Sequence, residues 1–486
     1  MFIRSAGILM PISSLPSKYG IGTFGKEAYN FVNFLSSAGQ KYWQLLPIGP
    51  VSYGDSPYSS FSIYAGNPYY IDLEFLIEEN LLTYKDCEAL NTEDYYVNYE
   101  KQFNVRFTIL YTAFENFTKY DELIRFRHEN QWVNDYSLFM ALKYYFNQKP
   151  WIEWHDGIKE RKAHEISKYK ELLENEIEFW TFLQYLFHEQ YFKLKSYANV
   201  KGISIIGDMP IYVGEDSVEA WSEKELFIKN LVAGVPPDAF SKDGQLWGNP
   251  VYNWGYLKEN SYEWWIKRLK HSLMLYDVVR IDHFRGFDEF WAIERGLENA
   301  KKGKWLPAFG EELFTHAQKE IGKLNIIAED LGIITDSVIE LKDKFEFSGM
   351  KVLQFAFDGN PNNPYLPENC EENSVVYTGT HDNDTLMGWL DNLDNRSKIY
   401  VAESLGINAD DFKNTNKLIY KIIDILFTSR ANLCILPMQD FLCLGSKARI
   451  NTPSTLGNNW VWRVNKKLLT DELTEIIKNL VIKTQR

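Results

Sequence analysis

The 486-residue sequence predicts an α/β fold, a (β/α)8 TIM barrel that carries inserted, largely helical subdomains. Three observations support this prediction. Eight short apolar segments end in polar residues, helical patterns lie between most of them, and the segments lack the strict alternation of strands that face water on one side. Eight strands separated by helices fit a closed barrel better than an open, doubly wound sheet.

The eight predicted strands are distributed over the whole chain. Helical patterns follow the first and fifth strands and precede the fourth and eighth, over residues 25–40, 335–345, 261–275 and 414–426. Residues 441–486 are too few to form a C-terminal β-sandwich domain, so we expect none. The predicted strands cover residues 6–13, 41–48, 202–211, 277–286, 325–332, 349–357, 374–384 and 432–440.

The stretch from residue 50 to residue 200 is too long for a single connection between a strand and a helix. Residues 101–146 and 165–198 are rich in Leu, Phe, Tyr, Glu and Lys at helical spacing. We therefore expect residues 1–486 to form a single barrel unit, with a helical insertion subdomain at residues 75–200.

The composition of the chain excludes some classes of partner and indicates the cellular compartment of the protein. A formal net charge of −14 argues against partners such as nucleic acid or an anionic membrane. The N-terminal apolar run is too short for a signal peptide, and no run has the length of a membrane span. The cysteines are scattered without a CxxC motif, so we expect free thiols and a cytoplasmic protein. These cysteines are Cys87, Cys370, Cys434 and Cys443.

Four predicted strands end at or near a carboxylate, namely Asp208, Asp282, Glu329 and Asp382. In a barrel of this kind the C-terminal ends of the strands form one mouth, so these side chains should converge on one pocket. Cleavage of an acetal needs an acid for the leaving oxygen and a carboxylate for the developing oxocarbenium ion. Any single acid could instead cap a helix or pair with an arginine. The dense polar settings RIDHFRG, AEDLG and THDND favour catalysis.

The neighbours of these acids suggest separate roles. Arg280 lies two residues before Asp282, so both side chains should point to the same side of the strand. The guanidinium would then keep Asp282 ionised, as a nucleophile requires. Glu329 ends an apolar strand, where desolvation would raise its pKa toward that of a general acid. His381 and Asp382 are an adjacent donor and acceptor that suit sugar hydroxyls.

Two further patterns point to cofactor or metal sites, but each is incomplete. GIGTFG at residues 20–25 matches the dinucleotide fingerprint, but it does not follow the first strand directly, and the next strand ends without an acid for a ribose. DNDTLMGWLDNLD resembles a calcium loop, but Leu386 and Met387 occupy the positions of a ligand and of the turn glycine. With no HExxH or Cys/His cluster present, we expect neither cofactor nor metal.

Long motifs give a more specific indication. The sequence resembles the amylomaltase, or disproportionating enzyme, family of 4-α-glucanotransferases, glycoside hydrolase family 77, from about residue 5 to residue 464. The motifs are GDSPYSSFSIYAGNPYYIDL (54–73), GDMPIYVGEDSVEAW (207–221), VAGVPPDAFSKDGQLWGNPVYNW (232–254), RIDHFRGF (280–287), AEDLG (328–332) and YTGTHDND (377–384).

This resemblance implies a retaining transferase that moves α-1,4-glucan segments between maltooligosaccharides, with glucose or another glucan as acceptor. By resemblance, Asp282 is the nucleophile, Glu329 the acid/base and Asp382 the transition-state stabiliser, Arg280 and His381 bind the sugar before the scissile bond, Asp208, Tyr58 and Trp247 line the glucan groove, and Tyr53 belongs to a remote glucan-binding groove.

The chain departs from the family in the segment after Trp291, which is expected to form a loop over the active site. Family members often carry proline near Glu294 and Pro-Gly near Phe309, and this sequence does not. Two alternatives remain open at this point. The protein could be an α-1,4-glucan hydrolase on the same scaffold, if water rather than a sugar reaches the intermediate. It could also be a non-catalytic glucan-binding protein, although both Asp282 and Glu329 are present.

Overall fold

The structure is a computed structural model that describes residues 2–237, 241–408 and 415–486. Its centre is a closed barrel of eight parallel strands, which confirms the predicted fold class. Each predicted strand segment contains or overlaps one barrel strand, and the strands follow one another around the barrel in chain order. The first residue of the last predicted helix, Asn414, and residues 238–240 of the motif 232–254 lie outside the described residues.

Twelve strands are present in the described residues, and eight of them form the barrel. The barrel order is β1-β2-β3-β6-β9-β10-β11-β12, and β12 pairs with β1 to close it. The strands are β1 Ser5–Leu9, β2 Tyr42–Gln44, β3 Ser204–Pro210, β4 Phe227–Val235, β5 Gln245–Tyr252, β6 Val278–Asp282, β7 Glu289–Glu294, β8 Gly303–Pro307, β9 Ile326–Ala328, β10 Ser348–Val352, β11 Ser374–Tyr377 and β12 Leu433–Pro437.

Alternation along the barrel strands divides their side chains between two apolar cores. Ile206 and Val278 belong to the core inside the barrel, whereas their neighbours Ile205 and Val279 pack in the larger core under the helices. Successive residues of a strand point to opposite faces, which explains this division. Because both faces are buried, the strands appear in the sequence as continuous apolar runs.

Helices surround the barrel, and those between β2 and β3 form the long insertion. α9 is the longest helix, with 27 residues, and it packs against α6 and α1. The helices are α1 Lys26–Ser37, α2 Leu73–Glu78, α3 Tyr99–Lys101, α4 Phe107–Glu115, α5 Tyr120–Glu129, α6 Val133–Tyr145, α7 Asp156–Lys159, α8 Ala163–Leu172, α9 Glu174–Val200, α10 Val218–Ser222, α11 Trp254–Glu259, α12 Glu263–Leu275, α13 Gly310–Ile321, α14 Asp336–Lys344, α15 Leu386–Asn392, α16 Asn395–Ser404, α17 Thr415–Thr428, α18 Met438–Phe441 and α19 Asp471–Thr484.

A four-stranded antiparallel sheet, in the order β5-β4-β7-β8, lies outside the barrel. This sheet was not predicted from the sequence, which indicated a loop after Trp291. Instead, β7 and β8 form a hairpin in which Trp291 pairs with Trp305, and β4 pairs with the other edge of β7. In β7 the buried residues Phe290 and Ala292 alternate with Trp291, which is partly exposed. This alternation is typical of a strand with one buried face.

The glycines of GIGTFG allow close packing around the start of α1. A side chain at Gly22 would meet the carbonyl oxygen of Ile12, and one at Gly25 would meet the carboxylate of Asp72. Asp72 also accepts a hydrogen bond of 2.5 Å from the Thr23 hydroxyl. The motif therefore has a structural explanation in this fold.

A buried ion pair supports the C-terminal end of β9. Asp330 belongs to the face that packs under the helices, so it points away from the barrel interior, and Lys342 of α14 lies 3.0 Å from its carboxylate. The other carboxylate oxygen accepts a hydrogen bond of 2.7 Å from the backbone N–H of Met350. Asp330 thus joins β9, β10 and α14.

Replacing Lys342 by methionine should destabilise the protein strongly, because Asp330 would stay buried without its cation. We expect the free energy of unfolding to fall by about 3–5 kcal/mol, measured by urea denaturation. Lys344→Met is the matched control, since Lys344 pairs with Glu311 at the surface and both side chains are more than half exposed. That change should cost at most about 1 kcal/mol. Equal losses in the two variants would contradict a special role for the buried pair.

Two arginines fasten the chain at the barrel end opposite the mouth. Arg4 and Arg486 both donate hydrogen bonds to the carbonyl oxygens of Phe427 and Ser429, at the C-terminal end of α17. Arg486 also donates to the carbonyl of Ser5, at 3.3 Å. Positive charge at a helix C-terminus is favourable, because the free carbonyls there carry partial negative charge.

None of the helices in the described parts of the chain combines the length and the apolar character that a membrane crossing requires.

Candidate active site

Three of the predicted site residues lie side by side at the mouth of the barrel. Arg280 and Asp282 share the inward face of β6 with Val278, and Asp208 on β3 pairs in register with Arg280. The period of two along each strand thus brings a cation and two acids to the inner surface. This placement is the one predicted from the spacing of Arg280 and Asp282.

Arg280 is the centre of this group and is almost fully buried. Its Nη1 lies 2.7 and 2.8 Å from the two carboxylate oxygens of Asp208 and 3.0 Å from Oδ1 of Asp282. Its Nε contacts the sulfur of Met350 at 3.4 Å. Burial opposes the charge, but the negative charges of Asp208 and Asp282 outweigh it and hold the pKa of the guanidinium well above its usual value. Arg280 is therefore a fixed positive charge beside both acids.

The two acids that Arg280 contacts differ in how much of each side chain is exposed to solvent. The Asp208 side chain is 0% exposed, whereas that of Asp282 is 32% exposed. Asp208 also accepts a hydrogen bond of 2.7 Å from the Tyr58 hydroxyl, so its oxygens are already engaged. Of the two, only Asp282 presents a carboxylate that a substrate in the mouth could reach.

Glu329 follows β9 directly and lies next to Asp282, because β6 and β9 are neighbours in the barrel. The backbone N–H groups of His283 and Leu331 donate to its two carboxylate oxygens, at 2.7 and 3.1 Å. Burial and, next, the negative charge of Asp282 raise the pKa of Glu329 to about 8, although Arg280 and the two backbone donors oppose the shift. These effects favour the protonated form of Glu329, which is the form that a general acid needs.

His381 and Asp382 form another side of the mouth, in the segment after β11. The His381 ring stacks on Tyr58 with centroids 4.8 Å apart and an interplanar angle of 20°. The Tyr58 hydroxyl lies 3.3 Å from Nδ1 of His381, and Nε2 of His381 lies 3.4 Å from Asp382. The Trp460 ring packs behind both aromatic rings. The stacked rings hold His381 beside Asp382 on this side of the mouth.

Trp247 lies beside the Asp282 segment, where it forms a second aromatic group with His283 and Tyr212. The edge of the His283 ring faces Trp247 with centroids 4.7 Å apart, and Tyr212 lies 6.2 Å from Trp247. Burial lowers the pKa of His283 to about 4, which leaves the imidazole neutral. Trp247 itself is 37% exposed, so one face remains available to a ligand.

Tyr53 is the one predicted residue that contacts a different part of the molecule. It lies on the same small hairpin as Tyr58, which the pairing of Val51 with Ser60 closes. Its ring is 61% exposed and lies 5.5 Å from the ammonium of Lys143, and its hydroxyl donates to the carbonyl of Gln148. These contacts place Tyr53 beside the C-terminal end of α6, and its place in a remote glucan-binding groove stays a prediction.

Three residues around Asp382 and its neighbour His381 were not predicted from the sequence. Asn451 donates a hydrogen bond of 2.6 Å to the Asp382 carboxylate, and Arg449 donates one of 2.6 Å to its backbone carbonyl. Trp460 packs on His381, as described above. All three lie in the connection after β12, where no predicted strand or acid drew attention. The only indication in the sequence was that the family resemblance continues to residue 464.

The site combines the parts that acetal exchange needs. An exposed carboxylate beside a fixed cation, a carboxyl group with a raised pKa on the adjacent strand and a third acid after β11 all lie at the C-terminal ends of barrel strands. In the described ranges, no three His, Cys, Asp or Glu side chains are grouped so that they could hold a metal ion. That the reaction needs neither metal nor cofactor stays a prediction.

Comparison with known proteins agrees with this geometry. The sequence profile of a family described as 4-alpha-glucanotransferase matches residues 10–470. A 4-alpha-glucanotransferase of Clostridium butyricum is 50% identical over 485 residues, which cover 97% of this chain and 98% of that protein. One of Streptococcus pneumoniae is 43% identical over 491 residues, covering 98% and 96%.

A solved structure shows the same architecture. The amylomaltase from Streptococcus agalactiae in complex with acarbose has a TM-score of 0.96 and 41% sequence identity to this chain, with 99% of each chain covered. Profile, sequence and structure agree over nearly the whole length. The chain therefore belongs to the 4-alpha-glucanotransferase family, the amylomaltases of glycoside hydrolase family 77.

Proposed function

We propose that this 4-α-glucanotransferase works by a retaining double displacement, in which Asp282 is the nucleophile and Glu329 the acid/base. It transfers a segment of an α-1,4-glucan to the 4-hydroxyl of an acceptor, either glucose or another glucan. The observation that carries the proposal is the contrast between two adjacent carboxyl groups. Asp282 is exposed and touches a permanent cation, whereas the pKa of Glu329 is raised to about 8.

In the first step, Asp282 attacks the anomeric carbon while Glu329 donates its proton to the leaving glycosidic oxygen. The bond from carbon to the leaving oxygen breaks as the bond to Asp282 forms. Asp382, on the other side of the mouth, stabilises positive charge on the sugar, and Arg280 and His381 hold that sugar in place. Tyr58 and Trp247 line the groove for the glucan, whereas Asp208, which was expected in the groove, is buried and supports Arg280 and Tyr58 from behind.

In the second step, Glu329 must act as a base, and the site provides a reason for this change. The negative charge of Asp282 is one of the causes that raise the pKa of Glu329. That charge disappears when Asp282 becomes an ester, so the pKa of Glu329 falls and the carboxylate can take the proton of the acceptor hydroxyl. The acceptor oxygen then displaces Asp282 and restores the α-configuration.

The compartment of the protein, the range of its substrates and its division into subdomains are further parts of the proposal. We propose a cytoplasmic protein whose substrates are maltooligosaccharides and longer α-1,4-glucans. The thiols of Cys87, Cys370, Cys434 and Cys443 are free in the structure, which is compatible with a reducing compartment. We also propose that residues 75–200 act as a helical subdomain mounted on the barrel, with Tyr53 at its border as part of a second glucan contact.

Transfer predicts a specific pattern of products from maltotriose. We expect glucose together with maltopentaose and longer chains, and little net gain in reducing ends, because each cleaved bond is replaced by a new one. The measurement is chromatography of the products alongside a reducing-sugar assay. Adding a chelator to the same reaction tests for a metal ion, and we expect it to leave the activity unchanged.

Two outcomes would count against this prediction. Reducing ends that rise in step with the loss of maltotriose would identify a hydrolase. Activity that disappears with the chelator and returns with calcium would show that a metal takes part. Asp282→Asn serves as the blank for both measurements.

A further inference from the structure

The three carboxylates of the site differ in how the fold holds them. Asp282 is the last residue of β6, and Glu329 follows β9 without a gap, so barrel pairing fixes both. Asp382 lies five residues beyond the end of β11, in a connecting segment, and its side chain is 46% exposed. Its orientation must therefore come from contacts outside the barrel.

Those contacts come from the segment after β12, residues 449–460. The side-chain amide of Asn451 donates to Oδ1 of Asp382 at 2.6 Å, and its backbone N–H donates to the carbonyl of His381 at 3.1 Å. Arg449 donates from Nη2 to the carbonyl of Asp382 and from Nε to the carbonyl of Asn451, both at 2.6 Å. The segment thus fixes the Asp382 backbone and one of its carboxylate oxygens.

The chemistry of an amide suits this position. Asn451 donates one proton to Oδ1 and leaves Oδ2 of Asp382 for a sugar hydroxyl. Because an amide does not titrate, the contact holds at every pH at which the enzyme works. A carboxylate in the same place would repel Asp382 and raise the pKa of the pair.

We propose that Asn451 is a positioning residue, which orients the Asp382 carboxylate for its action on the reacting sugar. This inference rests on the proposed function, because it assumes that Asp382 acts in catalysis. Asn451→Ala should lower kcat by about 10- to 100-fold while KM changes little, since misplacing a catalytic group by about 1 Å costs on that order. Asn459→Ala is the matched control.

Asn459 lies in the same segment, and its side chain contacts Thr452 and Thr455 rather than residues 381–382. If residues 449–460 have only a structural role, the two alanine variants should lose similar activity and thermal stability. A loss of kcat confined to Asn451→Ala, with unfolding temperatures close to each other, supports the inference. Equal losses of kcat overturn it.

Asn451→Asp gives a readout that a structural role would not produce. The new carboxylate should shift the acidic limb of the kcat/KM profile to higher pH, because the pair of acids binds a proton more tightly. Asn451→Ala should not shift that limb upward. A profile for Asn451→Asp that superimposes on that of the unchanged enzyme overturns the inference.

A double variant that combines Asn451→Ala with Asp382→Asn tests the positioning role of Asn451 separately from the catalytic role of Asp382. If Asn451 acts through Asp382, adding Asn451→Ala to Asp382→Asn should cause no further loss of kcat. Losses that multiply overturn the positioning role alone. Full activity of Asp382→Asn would overturn both the role of Asp382 in the proposed mechanism and the inference about Asn451.

Discussion

Asp282→Asn is expected to lose nearly all transferase activity, on the order of 10⁴-fold or more in kcat, while it still binds glucan. The amide is almost the same size as the carboxylate, so the mouth keeps its shape, but it cannot attack the anomeric carbon. Arg280 would also keep its bidentate contact with Asp208, which limits the structural effect. Maltotriose turnover measures the activity, and the quenching of tryptophan fluorescence by a longer glucan measures binding.

Asp277→Asn is the matched control for this variant. Asp277 immediately precedes the same strand, at the opposite end of the barrel, where it accepts hydrogen bonds from Asn199 and Ile205. An asparagine there can still accept these bonds, so activity should stay within a few fold of the unchanged enzyme. Substantial turnover by Asp282→Asn would show that another carboxylate is the nucleophile.

Glu329→Gln should lower kcat for maltotriose by about 10²- to 10⁴-fold, because glutamine cannot protonate the leaving oxygen. A glucosyl fluoride needs no such proton, so this variant should still react with it. The covalent glucosyl ester on Asp282 should then accumulate, because no base activates the acceptor. Mass spectrometry of the peptide that contains Asp282 measures it. An adduct on Asp382 or Asp208, or a product of inverted configuration, would refute the assignment.

The pH dependence gives an independent check on the same residue. Glu329 must be protonated for the first step, so kcat/KM of the unchanged enzyme for maltotriose should fall as the pH rises through about 8. For Glu329→Gln with the fluoride, this alkaline limb should be absent. Glu320→Gln, which changes a half-exposed partner of Lys270 on the surface, should keep the limb unchanged.

The raised pKa of Glu329 also affects stability. The folded protein binds this proton more tightly than the unfolded chain, so the contribution is favourable at acidic pH and is lost as the pH rises from about 4.3 through about 8. Glutamine has no charge to bury. The difference in unfolding temperature between Glu329→Gln and the unchanged enzyme should therefore shift in favour of the glutamine variant as the pH rises over this range.

The barrel and the strand-end acids could be predicted from the sequence because both follow from local patterns. A strand that is buried on both faces is a continuous apolar run, and such runs marked all eight barrel strands. Arg280 and Asp282 are two residues apart on one strand, so their common direction follows from the pleat alone. Glu329 ends the neighbouring strand, and adjacency in the barrel follows from chain order.

Other parts of the site could not be predicted because they depend on contacts between distant segments. Asn451 meets Asp382 across 69 residues of chain, and Trp460 meets Tyr58 across about 400. The hairpin of β7 and β8 lies where the sequence indicated a loop, and β4 and β5 were not predicted as strands. In each case the deciding partner lies far away in the sequence, and no periodicity in either segment identifies it.

The contacts of Arg486 with Ser5 and Ser429 also bear on the order in which the strands can follow one another along the chain. Because residue 486 and the start of β1 are within hydrogen-bonding distance, the connectivity around the barrel is nearly that of a ring. A chain in which a short linker joins Arg486 to the residues before β1 could open instead at the exposed turn of Lys201 and Gly202, between α9 and β3. Such a circularly permuted chain would keep every strand pairing of the barrel. The fold therefore does not require that β1 is the first barrel strand to be synthesised.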